Sequence, residues 1–318
     1  MTNGGISRRE LLRLAAAGGG ALGLAALLGA CDNDKGGGGG SAPATAPPGS
    51  LQALQANAVQ LSLLGAQSQL QVGSNLFTFG LSTPDNRLVA GGTPQVWAAT
   101  DDTSKALGPF PTRWFELTAY KTTKDRSPRS ELTGFYGAEV ELPKAANWMV
   151  AASLDLDGSR AVGRGAVPVV DNAPAAVGSK ARAVHTPVAT TVAGRRKICT
   201  RDPVPCPLHS VSLDDALRAG RPTVVSFATP LLCTSRMCGP VVDEQMVAAA
   251  KLGRRASFIH VEVYPDRNPD KPAPAMAAYG FTTEPWVLVV DRDGVIRARF
   301  EGPVTSTQIE AAVRPLLT

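Results

Sequence analysis

Between Val59 and Val170 apolar and polar positions alternate with a period of two. The runs are short: Leu76-Phe-Thr-Phe-Gly-Leu81, Gln95-Val-Trp-Ala-Ala99, Trp114 to Tyr120, Phe135 to Leu142 and Trp148 to Leu154. Glycine, proline or aspartate bounds each run, and no helical period is superimposed, so the stretch predicts several half-buried strands folded as an all-β sandwich. After Cys199 the period changes. Ser212-Leu-Asp-Asp-Ala-Leu-Arg-Ala219 starts with a capping serine and acidic first-turn residues and stops at Gly220, which predicts a short helix. A strand follows at Pro222 to Phe227, then apolar residues at helical spacing from Pro240 to Ala250, a strand at Ser257 to Val263, and a short helix at Ala273 to Tyr279. Trp286 to Asp291 and Val295 to Phe300 flank the turn Arg292-Asp-Gly294 as a hairpin, and Thr305-Ser-Thr-Gln-Ile-Glu310 opens a terminal helix with overlapping capping boxes. The predicted order is helix, β, α, β, α, β, β, α.

Two stretches lack either period. From Asp32 to Ser50 the chain is rich in glycine, proline, serine and alanine, which cannot form a core. From Asp171 to Arg196 aromatics disappear and small residues dominate, the mark of an interdomain linker. Upstream, Ser7-Arg-Arg-Glu-Leu-Leu-Arg13 precedes a glycine-interrupted apolar run that closes at Leu28-Gly-Ala-Cys31. Charge, a short apolar run and small residues are the parts of an export signal. The arginine pair resembles a twin-arginine signal, and Leu28-Gly-Ala-Cys31 resembles a bacterial lipobox, which implies that Cys31 carries lipid. A signal-anchor helix is the alternative, and either puts the folded part outside the cytoplasm. The expected organisation is a signal at 1–30, a flexible tether at 31–56, a β-sandwich at 57–172, a linker at 173–198 and an α/β domain at 199–318. Within the sandwich, Gly134-Phe-Tyr-Gly-Ala-Glu-Val-Glu-Leu-Pro143 followed by Ala146-Asn-Trp-Met-Val150 resembles an immunoglobulin-like module of bacterial exported proteins. Trp97, Trp114 and Trp148 are expected to fill its core.

Composition changes this picture little. With 318 residues, 44% apolar and 19% charged, the chain is long enough for about two domains with real cores. Arg8, Arg9, Glu10 and Arg13 carry +2 of the formal +5, so nucleic acid is not indicated. If Cys31 is lipidated, Cys199, Cys206, Cys233 and Cys238 remain, an even number that reads in an exported chain as two disulfides with three possible pairings. Spacing favours Cys199 with Cys206, as a structural bridge, and Cys233 with Cys238.

The chemistry concentrates in Phe227-Ala-Thr-Pro-Leu-Leu-Cys233-Thr-Ser-Arg-Met-Cys238-Gly-Pro240, a dithiol where a strand gives way to a helix. The positive end of a helix dipole favours a thiolate. Five helical steps rise ~7.5 Å, beyond the ~7 Å a disulfide spans, so Cys233 is expected in the loop and Cys238 in the first turns. Arg236 is a candidate charge partner for the thiolate. The element order, the dithiol after the first core strand and Thr283-Glu-Pro-Trp286 before the hairpin resemble the thioredoxin fold over Ser212 to Thr318, a third of the chain. That resemblance implies a cis Pro285 beside the sulfurs, with the backbone of Glu284 presented to substrate, and Cys233 attacking while Cys238 resolves. Thioredoxins carry C-x-x-C, whereas this chain has C-x4-C.

The reading is therefore an α/β thioredoxin-like domain behind an immunoglobulin-like sandwich. The expected activity is a membrane-tethered thiol–disulfide oxidoreductase with no cofactor and no resident metal. Its expected partners are exported cysteine-containing proteins or a membrane redox partner, at the outer face of a bacterial cell membrane. The alternative is a non-catalytic binding lipoprotein whose disulfide braces the fold. A C-x4-C pair also resembles some peroxiredoxins, but their upstream threonine and proline positions are here Pro230 and Ser226. Cysteines with His209, His260 and Met237 raise copper handling, yet the late histidine of copper-delivery relatives is missing. His260 in mid-strand and Cys206-Pro-Leu-His209 read as packed structure.

Overall fold

The structure is a computed structural model and describes residues 46–119 and 132–318. Cys31, the export signal and most of the tether lie outside the described residues. Among those described, no helix is long and apolar enough to cross a membrane.

The chain is already folded at Ser50. Its hydroxyl accepts from the Ala53 N–H at 3.1 Å and caps the short helix α1 (Leu51–Gln55). Leu51 is fully buried with Ala99, Ala106, Ala151 and Val162. The tether expected to run to residue 56 therefore ends some six residues earlier.

Eight strands follow: β1 (Val59–Gly65), β2 (Leu70–Gln71), β3 (Gly73–Ser82), β4 (Gln95–Ala99), β5 (Leu107–Glu116), β6 (Gly134–Leu142), β7 (Ala146–Leu156) and β8 (Ser159–Val170). The period-two runs all lie within these strands or overlap them. Two packed sheets were expected; instead pairing passes continuously through β1-β3-β6-β5-β4-β7-β8 and returns to β1, with β2 also paired to β8. The sheet closes on itself as a barrel, and the immunoglobulin-like expectation is corrected to that extent. The closing pair is parallel, Leu61 opposite Gly163. A Cβ on Gly163 would stand 2.7 Å from Leu81 Cδ2 and 3.3 Å from Leu63 Cβ, so a larger residue there would require the buried Leu81 side chain to shift. Side chains of Phe77, Phe79, Tyr136, Trp148 and Val150 fill the interior. Trp114 packs against them edge-on to Tyr136, and Trp97 joins the smaller cluster around Leu51. Trp148 is thus buried in the interior as expected, whereas Trp97 and Trp114 are only partly buried and Trp97 faces away from the interior that Val96 and Ala98 line.

Residues 173–198 are not a free linker. They lie along the C-terminal domain, with the Gly178 and Ala181 N–H groups donating to Ile296 and Gly294 carbonyls and Lys180 bridging Val295. Tyr279 Oη donates to the Arg182 carbonyl at 3.0 Å, and a short helix α2 (Val192–Arg195) follows. These contacts are mostly through backbone, which is why no side-chain period announces them.

The C-terminal domain runs α3 (Leu213–Arg218), β9 (Thr223–Ala228), α4 (Cys238–Leu252), β10 (Ser257–Glu262), α5 (Pro274–Tyr279), β11 (Trp286–Val290), β12 (Ile296–Glu301) and α6 (Ser306–Val313). The sheet order is β10-β9-β11-β12, with β9 and β10 parallel and β11 antiparallel to both of its neighbours. One apolar cluster lies between the sheet and α4 with α6, and another lies on the opposite face with α3 and α5. This is the thioredoxin-like arrangement. Helix α6 has the expected capping box between Thr305 and Gln308. Ser212 departs from expectation, because its hydroxyl accepts from Thr186 N–H at 2.8 Å instead of capping α3.

Barrel and α/β domain belong to one compact unit. Glu244 of α4, fully buried, joins them: its carboxyl accepts from Ala119 N–H at 2.7 Å, Ser306 N–H at 2.6 Å and the Thr118 hydroxyl at 3.4 Å. Glu301 makes a second link, accepting from Ser68 N–H at 2.9 Å and Thr283 Oγ1 at 2.7 Å. Replacing Glu244 by alanine strips an acceptor from three donors at a buried junction. Urea denaturation of Glu244→Ala is expected to show a loss of about 2–4 kcal/mol, with Glu244→Gln costing less because one carbonyl oxygen remains.

Candidate active site

Every residue of β9 is buried, the apolar continuity of a strand covered on both faces. Where it ends, the chain turns once before the helix. Cys233 N–H donates to Thr229 O at 3.0 Å and Arg236 N–H to Cys233 O at 3.3 Å. Arg236 sits at φ +59, the left-handed conformation that redirects the chain into α4. Met237 occupies the N-cap with no side-chain cap, and Cys238 is the first helical residue. The N–H groups at this helix start are therefore free for another acceptor.

That acceptor is Cys233. Its thiol is half-buried and its pKa is lowered to about 6, first by the Cys238 thiol and then by the Ser235 hydroxyl, whose oxygen is 3.2 Å from the sulfur. The Cys238 and Met237 N–H groups add to this, while partial burial opposes it. Cys238 behaves in the opposite way. It is completely buried, and burial together with the neighbouring Cys233 sulfur pushes its thiol well above the ordinary range. One sulfur is thus an accessible thiolate near neutral pH and the other a protonated thiol behind it. The expected positions, Cys233 in the loop and Cys238 opening the helix, are those found.

The Glu284–Pro285 peptide bond is cis, as the resemblance implied. A Glu284 carboxyl oxygen and the two sulfurs of Cys233 and Cys238 all lie within 4.8 Å of one another. Burial raises the carboxyl pKa, reinforced by the charges of Cys233 and Glu262. Glu284 was expected to contribute backbone; its side chain is the additional finding. Burial likewise raises the Tyr264 hydroxyl, with Glu284 and both cysteines as charged neighbours. Sequence reasoning missed Ser235 and Tyr264: a serine two residues past a cysteine and a tyrosine beyond a strand carry no motif. Arg236, considered as a charge partner, is exposed, and its visible contribution is the backbone turn.

Cys199 and Cys206 are both buried, with their sulfurs 3.9 Å apart and unbonded. His209 and His260 join these two cysteines, not the Cys233/Cys238 pair. The adjacent Cys206 thiol is the main influence holding Cys199 low, whereas burial raises Cys206. The copper reading had grouped these histidines with Met237, which instead caps α4.

No protein-family model matches the chain, and no match to a curated protein was found. Among solved structures, a secreted thiol-disulfide isomerase from Corynebacterium glutamicum is 18% identical, over 34% of this chain and 75% of its own, with a TM-score of 0.28. A thioredoxin-family thiol:disulfide interchange protein from Chlorobium tepidum is also 18% identical, over 43% of this chain and 100% of its own, TM-score 0.28. A second thiol:disulfide interchange protein from Chlorobium tepidum is 16% identical, over 45% and 99%, TM-score 0.30. Each likeness covers less than half of this chain, and the chemistry of the site rests on its own geometry.

The thiolate form of Cys233 gains as pH rises through its pKa. The rate of iodoacetamide alkylation at Cys233 is expected to rise with a midpoint near pH 6, followed by peptide mass mapping at each pH. Ser235→Ala, which removes one donor, is expected to move that midpoint upward.

Proposed function

We propose that the protein is an exported, lipid-anchored thiol–disulfide oxidoreductase in which Cys233 is the attacking sulfur and Cys238 the resolving one. The observation that carries this reading is the placement of two adjacent sulfurs at a helix start, the outer one half-buried beside the Ser235 hydroxyl and the inner one completely buried, with the outer thiol's pKa lowered and the inner one's raised. The C-x4-C spacing is compatible with exchange because the left-handed turn at Arg236 brings the two sulfurs within 4.8 Å.

In the reducing direction the Cys233 thiolate attacks one sulfur of a client disulfide. The Cys233–client bond forms, the client S–S bond breaks, and the first client sulfur leaves as thiolate and takes a proton from solvent. Cys238 then gives up its proton and attacks Cys233 Sγ, releasing the second client thiolate and leaving a Cys233–Cys238 disulfide. The Glu284 carboxyl, close to both sulfurs and raised in pKa, is placed to receive the Cys238 proton. Two electrons pass from the dithiol to the client, and the reverse sequence oxidises a client dithiol. Clients are exported cysteine-containing proteins, and a membrane redox partner resets the pair. The segment from Arg8 to Cys31 supports export and lipid attachment, at the outer face of the cell membrane.

The two cysteines separate the steps. Cys238→Ser is expected to accumulate mixed disulfides with clients through Cys233, seen as reductant-sensitive adducts on gels. Cys233→Ser should trap none, and both should lose insulin reduction. If neither variant traps and neither changes insulin reduction, the exchange reading fails. Glu284→Gln should lengthen the lifetime of the mixed disulfide by at least about tenfold, measured by quenched-flow alkylation, while leaving first attack by Cys233 largely intact.

A further inference from the structure

Away from the dithiol, a second group of donors converges where no residue of the exchange chemistry lies. The segment Cys199-Thr-Arg-Asp-Pro-Val-Pro-Cys206-Pro-Leu-His209 forms a strap over the edge of β10. It is pinned at three places. Thr200 donates through N–H and hydroxyl to Glu262 at 2.8 and 2.7 Å, Arg201 Nε donates to Asp243 of α4 at 2.7 Å, and His260 N–H donates to Leu208 O at 2.8 Å. Three prolines stiffen the strap between its first cysteine and its histidine.

These attachments hold two sulfurs and two imidazoles together in the interior. Cys206 Sγ is 3.3 Å and Cys199 Sγ 3.8 Å from His260 Nδ1, and the sulfurs are 3.9 Å apart. A ring nitrogen of His209 completes the set, all four donor atoms lying within 4.8 Å of one another. A tetrahedral zinc(II) ion with Zn–S of about 2.3 Å and Zn–N of about 2.0–2.1 Å would set its ligands about 3.8 Å apart for S to S and about 3.5 Å for S to N. The observed S-to-N spacings of 3.3 and 3.8 Å bracket the S-to-N value, and the S-to-S spacing of 3.9 Å lies just above its own.

The imidazoles are also oriented for a metal. His260 Nε2 is 3.0 Å from the Ala228 carbonyl, which can only accept, so Nε2 carries the proton and the Nδ1 lone pair faces the sulfurs. His209 is 2% exposed, and its Nε2 is buried with no hydrogen-bond partner. A Cys199–Cys206 disulfide would use the sulfurs and leave both histidines without a purpose for this arrangement.

We propose that Cys199, Cys206, His209 and His260 form a closed Cys2His2 site for one zinc(II) ion, which clamps the strap onto β10. All four protein ligands are present, the ligands are nine-tenths or more buried, and no coordination position is left for substrate. Binding displaces the thiol protons to solvent and involves no redox change.

The test uses the full chain carrying Cys233→Ser and Cys238→Ser, so that the dithiol contributes no ligand, reduced with a phosphine and titrated with cobalt(II). One equivalent is expected to give the intense ligand-field and thiolate charge-transfer bands of tetrahedral cobalt, which zinc(II) then bleaches. X-ray absorption of the zinc form should read two sulfurs and two nitrogens. Adding Cys206→Ser should abolish the bands, and His209→Ala should alter them. Absence of tetrahedral bands in protein shown to be folded by circular dichroism would overturn the proposal. So would a Cys199–Cys206 disulfide that survives the phosphine, binding of copper(I) with exclusion of zinc(II), or bands indifferent to Cys206→Ser. Should Cys206→Ser fail to fold, the sulfur and nitrogen count in the parent decides.

Discussion

The buried carboxyl group of Glu244 is the contact on which the arrangement of the two domains turns. It gathers the Ala119 N–H three residues past the barrel's fifth strand, the Ser306 N–H at the start of α6, and the Thr118 hydroxyl. A buried acceptor on one part of the chain, shared by donors from two others, is satisfied in only one relative placement of those parts. Its neighbours on α4 extend the same logic. Gln245 donates from Nε2 to the Val224 and Ile259 carbonyls, binding the helix to β9 and β10, and Asp243 receives Arg201 from the strap. Consecutive residues 243, 244 and 245 thus address the strap, the barrel and the sheet.

Cys238 opens that same helix. Its burial follows from the packing that α4 makes with the sheet, and its high proton affinity follows from its burial. Cys233, five residues earlier, lies in the turn before the helix and is only partly buried against the same cluster, with Arg236 between them in the left-handed conformation. The difference between the sulfurs is therefore a product of where the helix starts, and the residues between them set the handedness of the turn. The stack of Phe281 on Trp286 at 4.3 Å, with Arg299 lying over Trp286, holds the segment bearing Glu284 and Pro285 from the other side.

Much of this was legible in the residues. The strands and helices of the C-terminal domain follow from period, the Thr305 capping box and the Asp-Gly turn, because each is a local signal. Cys233, Cys238 and Pro285 were legible from their place in that order. Barrel closure was not, since the parallel pairing of Leu61 with Gly163 joins strands about a hundred residues apart and leaves no mark on either period. Nor was the docking of residues 173–198, whose hydrogen bonds are made mostly by N–H and C=O groups common to any sequence. The grouping of His260 with Cys199 and Cys206 was hidden for another reason: a histidine in mid-strand looks the same whether its ring faces methyl groups or sulfurs.

The strap and the docked segment have one more effect. An open four-stranded sheet has two outer strands, and unpaired backbone along them is a template onto which another extended chain can add. Here Leu208 takes the His260 N–H on one side, and Gly178 to Ala181 take up the start of β12 on the other. The flanks of the sheet thus carry fewer free backbone positions, while the sulfur of Cys233 stays partly exposed in the loop before α4.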